Sequence, residues 1–253
     1  MRFINLVFKD LIRDGKIVVY MDDVMIATAT IEEHIQILRE VLSIMNENKL
    51  ELQISKCEIL KTNVSYLGYE VDQHGVSPSK RHVQALEDFP VPRSVVEVQR
   101  FIGLTSYFRK FIQSFSSIAH PLYELVRQNT FCFDEACLKS FQELKDKLVC
   151  QPVLAIYSPS AKTELHTDAS ALGFGGILMQ EGVDGNMHPV MYFSKRASDA
   201  ESRLHSVVTV LHVNTSMVRL RMNVYSNKSY LLSYMDFWID QICIDPHLHI
   251  LSI

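Results

Sequence analysis

Lys16–Thr28 reads KIVVYMDDVMIAT, and this stretch decides the fold. Two runs of β-forming residues, Ile17–Met21 and Val24–Ala27, flank the acid pair Asp22-Asp23. Apolar β runs interrupted by two polar residues predict a tight hairpin with both carboxylates at its tip. Adjacent carboxylates repel, so they are tolerated where solvent or a cation compensates their charge. Asp is also common in ordinary turns. The Tyr-Met preceding the pair and the apolar run on each side favour a metal site, where carboxylates would hold Mg²⁺.

Working outward, Phe3, Val7 and Leu11 recur at helical spacing, shadowed by Ile4, Phe8 and Ile12. They predict an amphipathic helix that Asp14-Gly15 ends. Downstream, Thr30 and Glu33 form a capping-box pattern before a long helix. Ile31, Ile35, Leu38, Leu42 and Met45 are its expected buried stripe. Short strands are expected at Glu51–Ile54 and around Ser65–Val71, with a turn at Gly75. From Ser77 the texture becomes helical and proline-punctuated, through Pro78, Pro90, Pro92 and Pro121. Ser94 and Glu97 repeat the capping box, and Phe101, Leu104 and Phe108 share a helix face. A further helix starts near Asp134 with Leu138, Phe141, Leu144 and Leu148 inward. After Pro152, four strands are expected at Val153–Ile156, Glu164–Thr167, Gly175–Met179 and Pro189–Phe193. A helix is expected from about Ala200 to Val213. Beyond it the aromatics Tyr225, Tyr230, Tyr234, Phe237 and Trp238 show no clear period.

Composition narrows the class. Charged residues are 21% of 253 and apolar residues 47%, which fits a globular protein rather than a disordered one. A net charge of −4 does not advertise nucleic acid, although a local groove matters more than the total. Cys57, Cys132, Cys137, Cys150 and Cys243 form no CxxC pair, which fits reduced thiols in an intracellular protein, cytoplasmic or nuclear. No signal peptide and no membrane-spanning run is visible. Nothing in the sequence sets the oligomeric state.

VVYMDDVMIAT resembles the polymerase motif of reverse transcriptases. The helix after it, then Tyr66-Leu67-Gly68-Tyr69, is similar to the order in gypsy-type LTR retrotransposon Pol polyproteins. There the Leu-Gly pair belongs to a hairpin that grips the primer end; without the upstream motif Gly68 reads rather as an ordinary strand-end or bulge glycine. VSPSKRHVQALEDFPVPRSVVEVQRFIGLTSYFRKFIQSFSSIAHPLYELV resembles that family's thumb-like segment. Within it, Arg109 and Lys110 are candidates for phosphate contact and Tyr107 for stacking on a nucleotide. A core role for the aromatics and a solvated face for the basic pair are the competing readings. Leu165-His166-Thr167-Asp168-Ala169-Ser170, followed by Gly173, Gly175 and Gly176, resembles the opening of an RNase H fold, whose first strand carries a metal-binding acid.

The resemblance implies an α/β (α+β) fold: a truncated reverse transcriptase palm, a helical thumb and a partial RNase H-like mixed sheet. It implies a palm part over residues 1–76, a helical thumb over 77–150, an incomplete RNase H-like domain over 151–215 and a divergent tail over 216–253. It implies RNA-directed DNA polymerase and ribonuclease H chemistry with Mg²⁺, on an RNA–DNA hybrid or primer–template, with Asp22, Asp23 and Asp168 as metal-binding catalytic acids. The pattern also departs from the family. Only 21 residues precede Asp22, so the upstream strand acid and the fingers are missing, and no Glu follows Glu201, the doubtful second RNase H acid. Asp236, Asp240 and Asp245 lie in a tail that does not align. A decayed or truncated element copy, or part of an intact element, is therefore expected, with weak or absent catalysis. The alternatives are a non-catalytic hybrid-binding remnant and a product without function.

Overall fold

The computed structural model describes residues 2–21, 23–128, 130–150, 152–158, 160–170, 172–198 and 249–252. The expected helix at 200–213 and most of the tail lie outside them. The chain divides into two compact units, one running to Val76 with residues 156–158 and the strand at 249–252, the other running from Ser77 to Ala155 and on from Ser160.

In the first unit the N-terminal helical stretch is two short helices, α1 (Arg2–Val7) and α2 (Lys9–Arg13), broken at Phe8. Phe8 and Leu11 are buried, while Phe3 and Leu6 face outward. Strands β1 (Ile17–Tyr20) and β2 (Asp23–Thr28) pair antiparallel, Ile17 with Ile26, Val18 with Met25, Val19 with Val24 and Tyr20 with Asp23. Helix α3 (Ile31–Glu47) follows, capped by Thr30, whose hydroxyl accepts from the Glu33 amide at 3.2 Å. Phe8, Leu11, Ile17, Val19, Val24, Ile26, Ile37, Val41 and Met45 form one core.

The α3 stripe differs from the expected one. His34, Ile37, Val41 and Met45 are buried, whereas Ile31, Ile35 and Leu42 are exposed. The helix is rotated because a histidine sits at the core, where its Nδ1 meets the Thr28 hydroxyl at 3.2 Å. Hydrophobicity alone assigns that position to the surface. Glu51–Ile54 is not a strand; Ile54–Lys56 is a 3₁₀ turn, and β3 (Glu58–Lys61) comes after it. β4 (Asn63–Tyr66), β5 (Tyr69–Asp72) and β6 (Gly75–Pro78) form a three-stranded sheet in that order.

The second unit opens with helices: α4 (Lys80–Glu87), α5 (Val95–Tyr107), a 3₁₀ turn at Arg109–Phe111, α6 (Phe115–Ile118), α7 (His120–Gln128) and α8 (Glu135–Val149). Ser94 and Asp134 cap α5 and α8 through the Glu97 and Cys137 amides. Phe89, Phe101 and Phe141 form the aromatic centre, with Phe101 and Phe141 centroids 4.5 Å apart. The Lys145 ammonium donates to the Phe89 carbonyl at 3.1 Å. On α8 the inward set is Cys137, Ser140, Phe141, Leu144 and Leu148, while Leu138 is exposed, one position off the expected pattern. On α5, Phe101 is inward with Val98, Ile102 and Thr105; Phe108, just past the helix end, is buried too.

The helices lead to an antiparallel sheet of β7 (Thr163–Ser170), β8 (Gly173–Glu181) and β9 (Met187–Arg196), in that order. The described strands of this sheet pair antiparallel throughout. The expected strand at Val153–Ile156 is only a single bridge at Leu154, with the Ala155 amide donating to the Pro189 carbonyl at 2.8 Å. One face of the sheet carries the cluster of Phe174, Leu165, Ala169, Leu178, Met191 and Phe193. The other face is bolted to the helices. Buried Ser194 accepts from the Ser116 amide at 3.1 Å and shares a hydroxyl contact with it at 2.6 Å, while the Arg109 guanidinium donates to the Ser194 carbonyl.

Three outcomes test these contacts. Ser194→Ala orphans the Ser116 amide and is expected to cost about 1–2 kcal/mol in urea unfolding, against less than about 0.5 for Ser117→Ala on the exposed side. A Cβ at Gly173 would sit 2.7 Å from the Lys195 carbonyl oxygen, whereas at Gly175 the nearest atom is 3.5 Å away. Gly173→Ala should therefore destabilise by about 1–3 kcal/mol, and Gly175→Ala should leave the melting temperature nearly unchanged. Burial, and then Asp134, push the Cys137 thiol up to about 11. At pH 8 Cys137 should be alkylated roughly tenfold or more slowly than the exposed Cys132 and Cys150 in the folded chain; equal rates would contradict its placement.

Candidate nucleic-acid and metal site

The acid pair sits differently on the hairpin from the sequence expectation. Because Tyr20 pairs directly with Asp23, the two-residue connection is Met21-Asp22, and Asp23 is the first residue of β2. Two-residue hairpin loops favour left-handed backbone, since primed turns match the strand twist. Met21 adopts it, with φ +53°. Asp22 lies outside the described residues. Asp23 is exposed, and alternation along β1 and β2 places the Tyr20–Asp23 pair on the sheet face opposite Val19 and Val24, hence opposite the helix-packed core.

Tyr66-Leu67-Gly68-Tyr69 is a second tight hairpin. Tyr66 pairs with Tyr69, and Leu67 (φ +49°) and Gly68 (φ +80°) are both left-handed, as a type I′ turn requires. This resolves Gly68 as a turn residue rather than a bulge. Tyr66 and Tyr69 are buried, so as side chains they are core; only Leu67 and Gly68 are partly open to a ligand. Burial, then the charges of Asp23 and Tyr20, push the Tyr66 hydroxyl well above the usual phenol range. Asp23 is therefore close enough to act on Tyr66.

The three candidates near the end of α5 are also engaged inside the protein. Tyr107 is half-buried, stacks on His82 with centroids 6.3 Å apart and meets Phe108 edge-on. His82 Nδ1 in turn meets the Ser79 hydroxyl at 2.8 Å. Lys110 is buried, with its ammonium 5.7 Å from the Phe111 ring centre. Arg109 has one arm on the Ser194 carbonyl and its guanidinium carbon 5.6 Å from the Phe115 ring centre. Lys110 therefore departs from both the phosphate-facing and the solvated expectation, because the 3₁₀ turn folds it inward. Arg109 is exposed but tethered.

Asp168 is exposed near the end of β7, opposite Gly175, which is itself opposite Ser194. The three form one cross-strand row, so Asp168 shares its face with the contact that ties the sheet to the helices. Gly175 leaves the neighbouring position without a side chain. Glu164 points to the same face but is four residues away, about 13 Å along a strand. It is occupied by Lys162 at 3.1 Å and His166 at 3.2 Å, which hold its carboxyl below the usual range. Carboxylate oxygens are the donor chemistry a hard divalent cation takes. Asp23 and Asp168 supply one each; among the described residues no group of three or more His, Cys, Asp or Glu converges. Glu201, Asp236, Asp240 and Asp245 lie outside the described residues. Sequence reading missed the strand β10 (His249–Ser252), which pairs antiparallel with β2 and β3 and completes the order β1-β2-β10-β3. The β-branched Ile250 within HILS is the faint signal that could have marked it.

Residues 1–71 match the model of the reverse transcriptase (RNA-dependent DNA polymerase) family. Residues 133–225 match that of the RNase H-like domain found in reverse transcriptase. The chain is 32% identical over 185 residues to the retrovirus-related Pol polyprotein from transposon 297 of Drosophila melanogaster, covering 72% of this chain and 17% of the relative. It is 32% identical over 232 residues to the Pol polyprotein from transposon opus of the same fly, covering 85% of this chain and 23% of the relative. A transposon polyprotein of Schizosaccharomyces pombe, Tf2-3, is 30% identical over 200 residues, with 79% and 15% covered. The chain thus spans less than a quarter of the length of these relatives. Among solved structures, the foamy viral protease-reverse transcriptase in complex with double-stranded DNA superposes with a TM-score of 0.75 at 22% identity, covering 88% of this chain and 39% of that one. Its complex with an RNA/DNA hybrid gives 0.73 at 23% identity, with 86% and 30% covered. A Tyr-Met-Asp-Asp hairpin, a Leu-Gly hairpin, a helical segment and a glycine-spaced acid strand, in one order and matched over most of the chain, make this a member of the gypsy-type LTR-retrotransposon Pol family, spanning parts of its reverse transcriptase and RNase H-like regions.

Proposed function

We propose that this chain belongs to the machinery of RNA-directed DNA synthesis and RNA removal, with a primer–template or RNA–DNA hybrid as its partner. In this reading residues 1–76 are palm, 77–150 thumb or connection, 151–215 RNase H-like and 216–253 a divergent tail. Both families generally use divalent metals, and the ion assigned here is Mg²⁺. Asp22 and Asp23 would hold it at the hairpin and Asp168 at the glycine-spaced strand. When bound, the ion activates the attacking oxygen and stabilises the leaving one. The protein's part is to hold carboxylates rigidly where that charge develops.

The observation that carries the reading is Asp23, an exposed carboxylate that opens β2 just before buried Val24–Ile26 and across from the buried run Ile17–Val19 of β1. The likeness to foamy viral structures in complex with double-stranded DNA and with an RNA/DNA hybrid supports nucleic acid as the partner. A second reading, hybrid binding without chemistry, needs only the nucleic-acid partner, whereas two-metal hydrolysis also needs several converging carboxylates, and no three converge among the described residues.

Primer extension on an RNA template with Mg²⁺ decides between them. Polymerase function predicts incorporation that falls by at least about 100-fold in Asp22→Asn or Asp23→Asn. Hybrid binding alone predicts no incorporation but an affinity that weakens steeply from 50 to 200 mM salt. Neither incorporation nor salt-sensitive binding would sink both.

A further inference from the structure

Tyr66 is 2% exposed, and its hydroxyl has no hydrogen-bond partner among the described residues. A phenylalanine would fill the same space without burying a polar atom, so the hydroxyl is a stability cost unless it meets something. Its surroundings indicate what. After burial itself, the Asp23 carboxylate is the largest influence on this hydroxyl, followed by Tyr20. Tyr20 and Asp23 are direct partners on the sheet face away from the helix-packed core. β4, which ends at Tyr66, lies beside β10, and β10 pairs with β2, the strand that Asp23 opens. The Leu67-Gly68 turn pins Tyr66 by fixing its pairing with Tyr69.

A phenolic O–H is a donor and a carboxylate an acceptor, and a hydrogen bond to a charged acceptor is roughly twice as strong as a neutral one. We infer that Tyr66 is a positioning residue for Asp23, its hydroxyl donating to a bridging water that in turn donates to that carboxylate. The orphaned hydroxyl is then the inner support of an exposed acid. Its consequence for metal binding rests on the polymerase reading above; the hydroxyl–carboxylate contact does not.

The test uses the full chain and four forms: the parent, Tyr66→Phe, Asp23→Asn and the double variant. Mn²⁺ binding is followed by the loss of its free-ion electron paramagnetic resonance signal, and melting is recorded separately in a metal chelator. Tyr66→Phe should weaken Mn²⁺ binding about tenfold, the size expected for a group that orients a ligand, and should add nothing in the Asp23→Asn background. The melting shifts of the two single changes should be non-additive. Tyr66→Phe binding Mn²⁺ as the parent does, and raising the melting temperature equally in both backgrounds, would overturn the inference. If the parent itself binds no Mn²⁺, the metal reading fails instead. The melting cycle then decides alone: coupled shifts keep the contact, and additive shifts overturn it.

Discussion

Burial of β1 and β2 on both faces fixes everything near the acid pair. Ile17 opposite Ile26 and Val19 opposite Val24 belong to the core under the helices, while Val18 opposite Met25 is buried on the other side. A slip of one residue would turn each of these side chains to the wrong face, so the register has no near alternative. Register in turn leaves two residues to close the hairpin and starts β2 at Asp23. A left-handed non-glycine backbone costs roughly 1 kcal/mol. Met21 accepts that cost because the strands on either side overdetermine the turn.

The parts of the fold that sequence made legible are those set by local chemistry. Thr30, Ser94 and Asp134 cap helices as their side chains predict, because an N-cap needs only one oxygen and one amide three residues on. The β1–β2 pairing is legible for the same reason, as two dense apolar runs sit close together. Helix rotation is not local. On α3 the apolar pattern points to Ile35 and Leu42, yet the buried line passes through His34, since Thr28 on the neighbouring strand supplies a partner no window of α3 contains. The strand expected at Val153–Ile156 reduces to a bridge at buried Leu154, with Val153 exposed.

The candidate site divides along the same line. Acids on strands are placed by register, so Asp23 and Asp168 stand exposed as their positions require. Aromatic and basic candidates are not, because their apolar rings and stems can pack inward where the polar tip finds a partner. Tyr66 and Tyr69 go inward, Tyr107 lies against His82, and Lys110 is folded in by the 3₁₀ turn. Arg109 lies between these cases, exposed yet with one arm on the Ser194 carbonyl and its guanidinium near the Phe115 ring.

That difference bears on how such a site can be held. An unpaired carboxylate is costly to bury in its charged form, so at an exposed acid the precision comes from the elements beneath it. At the first hairpin the support is a two-sided apolar core and a buried phenol. At Asp168 it is the cross-strand row through Gly175 to Ser194, where Arg109 and Ser116 tie β9 to the helices. Arg109, which on type alone suggests a phosphate contact, thereby becomes part of the frame that carries an acid. Tyr66 and Arg109, two residues that look like ligand contacts, thus serve as backing for the carboxylates.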